Sequence, residues 1–363
     1  MYRSVIHEKS SDRASEFLIA VQNRIPQVLV DDKSYDNLIK TASSVPFNIA
    51  LSPFLLECSL DDSSRMADLS FGLLADRDYS DFQFSGFEEE HSALLKSISS
   101  LTGRSDNRLK SQLAMIWLEY DVGEKPASIP SLFLTPETGT PAQSTRILTQ
   151  IQRDLGERYI DARYSKKAGD IIRRLPDKSS VRQIGIMASR GLAPLRLCLA
   201  GLDNLGWQKM GSFLGHIGYN PSCKNFFSLY KRLEPFVDIC DLSLDVTERI
   251  EPRIGLELLI RQRNPRREKA WHHVLKELEM EGLCSHGKMD ELLNFYGYDS
   301  IIENQERWPR SLAVYWEENR KQCCSFLIRS VNHLKISFDP AEGMSAKAYL
   351  KITHHWKNIN GSL

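Results

Sequence analysis

Residues 326–356, FLIRSVNHLKISFDPAEGMSAKAYLKITHHW, decide the fold of this chain. Two runs of alternating apolar and polar residues flank an Asp-Pro and a Gly, a pattern typical of two antiparallel strands joined by a turn. Leu334 and Leu350 belong to the apolar positions, whereas Lys335 and Lys347 belong to the polar ones. Successive side chains of a strand point to opposite faces, so each strand has one apolar face and one cationic, hydrogen-bonding face.

The same pattern occurs five times along the chain, in units of about 60 residues. The five predicted hairpins span residues 54–75, 115–137, 183–201, 240–263 and 326–356. Apolar residues at helical spacing precede the first hairpin at 12–42 and follow the first four hairpins near 88–103, 144–175, 202–235 and 266–297. The chain is therefore an internal repeat of architecture, although the repeats differ in sequence.

The repeat predicts an α+β fold: a closed ten-stranded antiparallel β-barrel of five αββα repeats with the helices outside. Each strand has a single apolar face, which the helices would cover, and closure removes the exposed edges of a ten-stranded sheet. We expect the outward face to carry Leu118, Leu197, Leu256 and Leu350. The alternative is two α+β domains with open sheets. We divide the chain into an N-terminal helical segment, 1–46, and a single barrel domain, 47–363.

Composition excludes several classes of protein. Lys plus Arg equals Asp plus Glu at 47 each, so no global basic field attracts nucleic acid. No run of about 18 apolar residues could span a membrane, and the first residues, MYRSVIHEKSSDR, lack the apolar core of a signal peptide. Seven cysteines without a CxxC pair fit a reducing compartment. We expect a cytoplasmic protein.

Sequence motifs for nucleotide binding or metal-dependent hydrolysis are absent: the chain contains no GxGxxG, P-loop, HExxH or GxSxG. The adjacent pairs His272-His273 and His354-His355 lack metal-ligand spacing, because neighbouring side chains diverge on a helix or strand. No metal site is predicted from these residues.

The repeated hairpin-and-helix pattern, from about residue 47 to residue 356, resembles the αββα barrel, or PT barrel, of the aromatic prenyltransferases. In the indole-type enzymes, a Pro-Phe-Glu-like element on the first barrel strand carries a glutamate that accepts the proton of the acceptor. The segment SPFLLECSL is similar and places Glu57 at that position. Glu119 has the same inward parity on the neighbouring hairpin and is the second candidate for the base.

The resemblance also implies a site for the prenyl donor. These enzymes repeat Lys-x-Tyr on their return strands, where the lysines hold a diphosphate and the tyrosines shield an allyl cation. Lys347-Ala-Tyr349 is similar, and Arg196 is a partial substitute on the third hairpin. With the same parity, Lys335 and Lys351 complete the predicted donor site. We expect Lys335, Lys347 and Lys351 to share one pocket.

Charges of both signs are expected inside the barrel. The predicted lumenal cations are Arg196, Arg261, Arg329, Lys335, Lys347 and Lys351, and the predicted acids are Glu57, Asp68, Glu119, Asp121, Asp241, Asp245 and Glu257. A diphosphate carries about three charges and needs several charge-assisted contacts. Either Mg²⁺ bridges some of the acids to the phosphate, or the ligand is not a diphosphate. Glu57 and Glu119 could instead form ion pairs across the lumen.

Two functions follow from these patterns. The first is an enzyme of secondary metabolism that transfers a prenyl group from an allylic diphosphate to an electron-rich aromatic acceptor, an indole or a phenol. The second is a non-catalytic barrel of the same architecture that binds a ligand or a partner and has a degenerate diphosphate site. A lumen with converging cations would support the first, and a lumen filled by side chains would support the second.

Overall fold

The computed structural model describes residues 13–45, 53–74, 112–123, 129–156, 159–190, 193–203, 206–220, 222–261 and 267–359. The helix predicted near 88–103 lies outside these ranges.

Eleven strands lie in the described part of the chain. They are β1 (Phe54–Ser59), β2 (Ala67–Leu74), β3 (Leu113–Tyr120), β4 (Ser131–Pro136), β5 (Ser180–Ile186), β6 (Leu195–Ala200), β7 (Ile239–Val246), β8 (Ile250–Leu259), β9 (Gly297–Ser300), β10 (Cys323–Asp339) and β11 (Gly343–Asn358). Each of β1 to β7 pairs antiparallel with the next strand, β8 pairs with β10, β10 with β11, and β11 returns to β1. The ring of ten strands is closed, and the prediction of a closed barrel rather than open sheets is confirmed.

Nine helices lie in the described residues. They are α1 (Ser15–Val21), α2 (Asp32–Ser43), α3 (Pro141–Leu155), α4 (Ala162–Arg173), α5 (Trp207–Ile217), α6 (Lys224–Leu233), α7 (Arg267–Met280), α8 (His286–Asn294) and α9 (Arg310–Asn319). Pairs of helices precede β1, β5 and β7, and α7 with α8 follows β8, as the repeat predicts. Strand β9 and helix α9 are additions that the sequence pattern did not predict. Strand β9 pairs only with the first part of β10, outside the ring.

The apolar faces of the strands point outward and pack against the helices. Leu118, Leu197, Leu256 and Leu350 are all fully buried in one hydrophobic core, which also contains residues of the helices. The N-terminal helices join this core, since the rings of Phe17 and Phe54 lie 6.1 Å apart in an edge-on contact. The division into 1–46 and 47–363 stays a prediction.

A β-bulge in β10 reverses the alternation of its first half. The register with β11 shifts between Val331 and His333, so residues before the shift face the opposite way from those after it. The prediction that Arg329 faces the lumen is therefore wrong. Arg329 lies beside Ile352 on the outer face, where its Nε donates to Asp299 at 2.9 Å.

Arg261 is also displaced from its predicted lumenal position. It follows the end of β8, its side chain is exposed, and its backbone N–H donates to Asp238 at 2.8 Å. The alternation of a strand does not extend beyond its last paired residue, which explains the error.

Among the described residues, none of the helices combines the length and the hydropathy needed to cross a bilayer.

Lys288 of α8 fixes the turn between β1 and β2. Its side chain is 1% exposed, and its Nζ donates to the backbone oxygens of Ser59 at 3.0 Å, Asp61 at 2.5 Å and Ser64 at 2.5 Å. Buried carbonyls without a donor are costly, so this ammonium group satisfies acceptors that the turn leaves unpaired.

We expect Lys288→Met to lower the free energy of unfolding by about 1–3 kcal/mol, because the apolar side chain fills the space but cannot donate. Urea unfolding followed by circular dichroism measures the loss. Lys269→Met, at an exposed position on α7, is the control and should change stability by less than about 0.5 kcal/mol. Equal stability of the two variants would contradict the role of Lys288.

Candidate active site

The barrel lumen holds two adjoining cavities, of 140 and 210 Å³. The first, here the cationic chamber, is lined by five cations and three carboxyl groups: Arg190, Arg196, Arg253, Lys335, Lys347, Glu57, Glu119 and Asp245. The second, here the aromatic chamber, is lined by Leu55, Trp117, Phe133, Ile239, Leu259, His333 and Tyr349, together with polar residues. Four residues line both chambers and form the wall between them: Glu119, Arg196, Lys335 and Tyr349.

Register brings Glu57, Tyr349 and His333 side by side on three neighbouring strands. Glu57 of β1 lies opposite Tyr349 of β11, which lies opposite His333 of β10. The rings of Tyr349 and His333 stack at a centroid distance of 3.9 Å, and Tyr349 hydrogen-bonds Glu57. Burial lowers the pKa of His333 to about 4, so the imidazole is neutral at physiological pH. The stacked rings of Tyr349 and His333 thus lie beside the carboxylate of Glu57.

Glu57 is ionised because Lys347 lies next to it. Burial by itself would raise the pKa of Glu57, but the charge of Lys347 and hydrogen bonds from Lys347 and Tyr349 outweigh burial and lower it. Asp68, opposite Glu57 on β2, has its pKa raised to about 6 by burial and then by the charge of Glu57. The net result is one firmly ionised carboxylate at the edge of the wall.

Glu119 is protonated at neutral pH. The residue is 8% exposed, and its carboxyl group makes no ion pair and no hydrogen bond with a residue that the structure describes. Burial and then the negative charge of Glu57 raise its pKa, and the more distant charge of Arg196 only partly offsets them. Glu57 and Glu119 therefore differ in protonation state, although both lie in the lumen.

The two cations of the wall between the chambers have carboxylate partners on neighbouring strands. Arg196 binds Asp245 through two hydrogen bonds of 2.7 and 3.0 Å. Lys335 donates to Glu257 at 3.2 Å and to Ser243 at 3.3 Å.

Two further cations line the cationic chamber. Arg190 contacts Asp121 at 2.8 Å. Arg253 makes no ion pair with any described residue, although its charge lowers the pKa of Asp245.

Two glycines make room for the charged and aromatic side chains. A Cβ at Gly255 would lie 3.0 Å from Cε of Lys335, and a Cβ at Gly185 would lie 2.7 Å from the ring of Phe133 and 3.0 Å from Cβ of Arg196. Each glycine faces the lumen on a strand next to the side chain that it accommodates. A larger residue at either position would displace Lys335 or Phe133 from its place in the lumen.

Six of the seven predicted site residues line the cationic chamber: Glu57, Glu119, Arg196, Lys335, Lys347 and Tyr349. Lys351 does not line either chamber, so the expectation that Lys335, Lys347 and Lys351 share a pocket fails for Lys351. The physical reason is distance along the strand. Lys351 is four positions after Lys347 on β11, a distance of about 13 Å along the strand.

Sequence reasoning missed several lining residues, among them Arg253, Arg190 and His333. Arg253 has the same parity as Gly255 on β8, so alternation could have found it. Arg190 projects from a short 3₁₀ turn after β5, where strand alternation has no meaning. His333 was on the polar face of β10, but no signal in the sequence indicated that it would stack on Tyr349.

The described residues do not fit a Mg²⁺ ion. No group of three or more His, Cys, Asp or Glu side chains in this part of the chain is arranged to hold a metal. The ionised lumenal carboxylates Glu57, Asp245 and Glu257 each face a cation of the protein. No step of the chemistry below passes through a metal.

Comparison with solved structures shows the same fold in prenyltransferases. The apo form of prenyltransferase PriB matches with a TM-score of 0.52 and 10% sequence identity over 94% of this chain and 96% of that chain. PriB in ternary complex with L-tryptophan and dimethylallyl thiolodiphosphate gives a TM-score of 0.47 at 10% identity, over 94% and 96% of the two chains. A 6-dimethylallyl tryptophan synthase gives 0.47 at 10% identity, over 93% and 94%.

No protein-family model matches the chain, and no curated protein matches it. At 10% identity the likeness to PriB is one of fold, and it confirms the PT-barrel architecture that the repeat pattern resembled.

The opposite charge states of the two glutamates predict opposite effects of removing them. Glu119 has a higher pKa folded than unfolded, so wild type loses stability as pH rises above the unfolded value of about 4.3. Glu119→Gln has no carboxyl group at this position, so the variant does not lose this stability as the pH rises. We expect the variant to equal wild type near pH 4 and to exceed it by on the order of 1 kcal/mol at pH 8–9, measured by urea unfolding across pH.

Glu57→Gln is the matched control and should have the opposite sign. The folded pKa of Glu57 is depressed, so its stabilising ion pair is present above about pH 4.3 and is lost as pH falls further. We expect the variant to be less stable by about 1–3 kcal/mol at pH 7, with the difference shrinking in acid. The same pH profile for both variants would show that the charge states are assigned wrongly.

Proposed function

We propose that this protein is an enzyme of secondary metabolism that transfers a prenyl group from an allylic diphosphate to an electron-rich aromatic acceptor, an indole or a phenol. The observation that carries the proposal is the pair of chambers. A cationic chamber adjoins an aromatic one, and the wall between them contains a tyrosine and a neutral carboxyl group, with ionised Glu57 at its edge. The shared fold with a prenyltransferase supports the same function.

The open lumen favours an enzyme over the non-catalytic alternative. The two chambers together offer about 350 Å³, within the range of about 300–1,000 Å³ that small-molecule sites occupy. Charged and polar side chains dominate the first chamber, and the second adds the rings of Trp117, Phe133 and His333 to charged and polar groups of its own. This arrangement suits a substrate pair with one charged and one aromatic member.

The cationic chamber suits the diphosphate of the donor. A diphosphate carries about three negative charges and takes charge-assisted contacts from several cations. Arg196, Lys335 and Lys347 reach the chamber from three strands, and the phenol of Tyr349 lies beside them. In the absence of donor these cations pair with carboxylates, so donor binding replaces one anionic partner by another. Arg253, which has no described partner, adds positive charge at no such cost.

The proposed reaction begins when the bond between the allylic carbon and the diphosphate oxygen breaks. The electron pair leaves with pyrophosphate, whose negative charge the lumenal cations stabilise. The resulting allyl cation lies against the faces of Tyr349, Trp117 and Phe133, whose π-systems attract positive charge.

The acceptor ring then attacks the allyl cation, forming a bond to carbon and leaving a positively charged ring. Loss of a proton from that ring restores aromaticity. Glu57 is the first candidate for the base because it is ionised. A cationic ring is far more acidic than a carboxylic acid, so a weakly basic carboxylate is sufficient. Glu119 holds a proton and can donate a hydrogen bond; it becomes a base only after losing that proton.

Binding of the donor can be measured without an acceptor. We expect inorganic pyrophosphate or a prenyl thiodiphosphate to bind wild type in a calorimetric titration, and Lys347→Ala to bind at least about tenfold more weakly because one charge-assisted contact is lost. Lys357→Ala, at an exposed position of the same strand, is the control and should bind like wild type. If wild type binds neither ligand, with or without Mg²⁺, the donor site does not exist.

Removal of the base should slow turnover and spare donor binding. We expect Glu57→Gln, which keeps size and hydrogen bonding, to lower kcat by about 10²–10⁴-fold. The affinity for the thiodiphosphate should not fall, because the substitution frees Lys347 from its anionic partner and removes no contact to the donor. Glu119→Gln tests the second candidate in the same assay. Full activity of both variants with a turned-over substrate pair would mean that neither glutamate accepts the proton.

A further inference from the structure

Two cations without an acidic partner among the described residues lie near the β10 bulge, one on the lumenal face of β11 and the other at the start of α7, outside the barrel. Lys351 has the inward parity of Lys347 and Tyr349 on β11, and its neighbours in register are Leu55 of β1 and Ser330 of β10. Arg267 is the first residue of α7. Neither residue forms an ion pair with a residue that the structure describes, unlike Lys335, Lys347 and Arg196 in the cationic chamber.

Arg267 is held in place, but one of its hydrogen-bond donors has no acceptor. Its Nη2 donates to the backbone oxygen of Val331 at 2.7 Å, at the β10 bulge, and its guanidinium lies over the ring of Tyr296 at 5.7 Å from the centroid. Its Nε is buried and has no hydrogen-bond partner. A buried guanidinium N–H without an acceptor is costly, and the contacts above fix it in that position.

The positive charges of Lys351 and Arg267 repel each other unless a counter-ion binds between them. Burial and then the charge of Arg267 lower the pKa of Lys351, and burial lowers the pKa of Arg267 itself. The first turn of α7, a helix of 14 residues, adds the positive end of a helix dipole. Two cationic side chains and the start of a helix therefore lie together, and the one acidic residue of the first turn of α7, Glu268, is exposed and forms no ion pair with either cation among the described residues.

We propose that Arg267 and Lys351, at the N-terminus of α7, form a binding site for an oxyanion, either a carboxylate or a phosphate group. The guanidinium supplies the unsatisfied Nε–H and the lysine a second charged donor. The site lies about 13 Å along β11 from Lys347. It adjoins the aromatic chamber, because Leu55 and Asn332, the neighbours of Lys351 and Val331, line that chamber.

Two sources can supply the oxyanion. One is a carboxylate on the aromatic acceptor, whose ring would occupy the aromatic chamber; this source rests on the proposed function. The other is a free phosphate, which does not. In both cases the same two side chains bind the anion.

The test is calorimetric titration of the full chain with inorganic phosphate and with indole-3-propionate. A Lys347→Gln background weakens binding in the cationic chamber, and Lys351→Gln and Arg267→Gln are then added separately. We expect each to weaken binding of at least one probe by tenfold or more. Lys357→Gln, exposed on the same strand, is the matched control and should leave both affinities within twofold. Lys351→Gln removes like-charge repulsion, so it should not lower the Tm of its parent. Arg267→Gln also loses the hydrogen bond to Val331, so its Tm is measured to show that the variant is folded under the conditions of the titration.

Indole-3-propionamide, a neutral analogue of the same size, separates the two sources. Preference for the acid over the amide that disappears in Lys351→Gln and Arg267→Gln identifies a carboxylate of the acceptor. If the two substitutions weaken binding of phosphate but wild type shows no preference for the acid over the amide, the ligand is a free phosphate. The proposal is overturned if neither probe responds to either substitution. Failure of pyrophosphate to bind at Lys347 would remove the proposed function and leave this site standing.

Discussion

Closure of the sheet is the constraint on which the rest of this structure depends. When β11 pairs with β1, every second residue of ten strands turns into one small enclosed volume, and the other face packs into the hydrophobic core. The enclosed side chains exchange bulk water for one another, so a charge there needs a partner or a change in protonation. Each electrostatic feature of the lumen is a response to that requirement.

The lumen meets the requirement in two ways and leaves one exception. Most of its cations pair with acids on neighbouring strands, as Lys347 does with Glu57 and Arg196 with Asp245. Glu119 has no cation next to it and remains protonated instead. Lys351 in the lumen and Arg267 outside the barrel wall have no acidic partner among the described residues. Charged side chains without a partner are where ligands are expected to bind. The distribution of partners thus separates a donor chamber from a second anion site.

Local exceptions to regular strand geometry adjust which groups enter the lumen. The bulge between Val331 and His333 turns Arg329 outward to Asp299 while leaving His333 and Lys335 inside. Gly185 and Gly255 remove two side chains where Phe133 and Lys335 need space. A site with one aromatic and one cationic half depends on these few positions as much as on the repeated pattern.

The sequence by itself determined the five hairpins, the faces of their strands and the helices around them, because alternation with period two and helical spacing are local properties. Those properties also placed Glu57, Glu119, Lys335 and Lys347 inside. Only the tertiary structure decided which inward residues meet. Glu57 and Lys347 are 290 residues apart in the chain, and parity gives a residue's face but not its height in a barrel of tilted, staggered strands. Height is what separates Lys351 from Lys347 and joins it to Arg267.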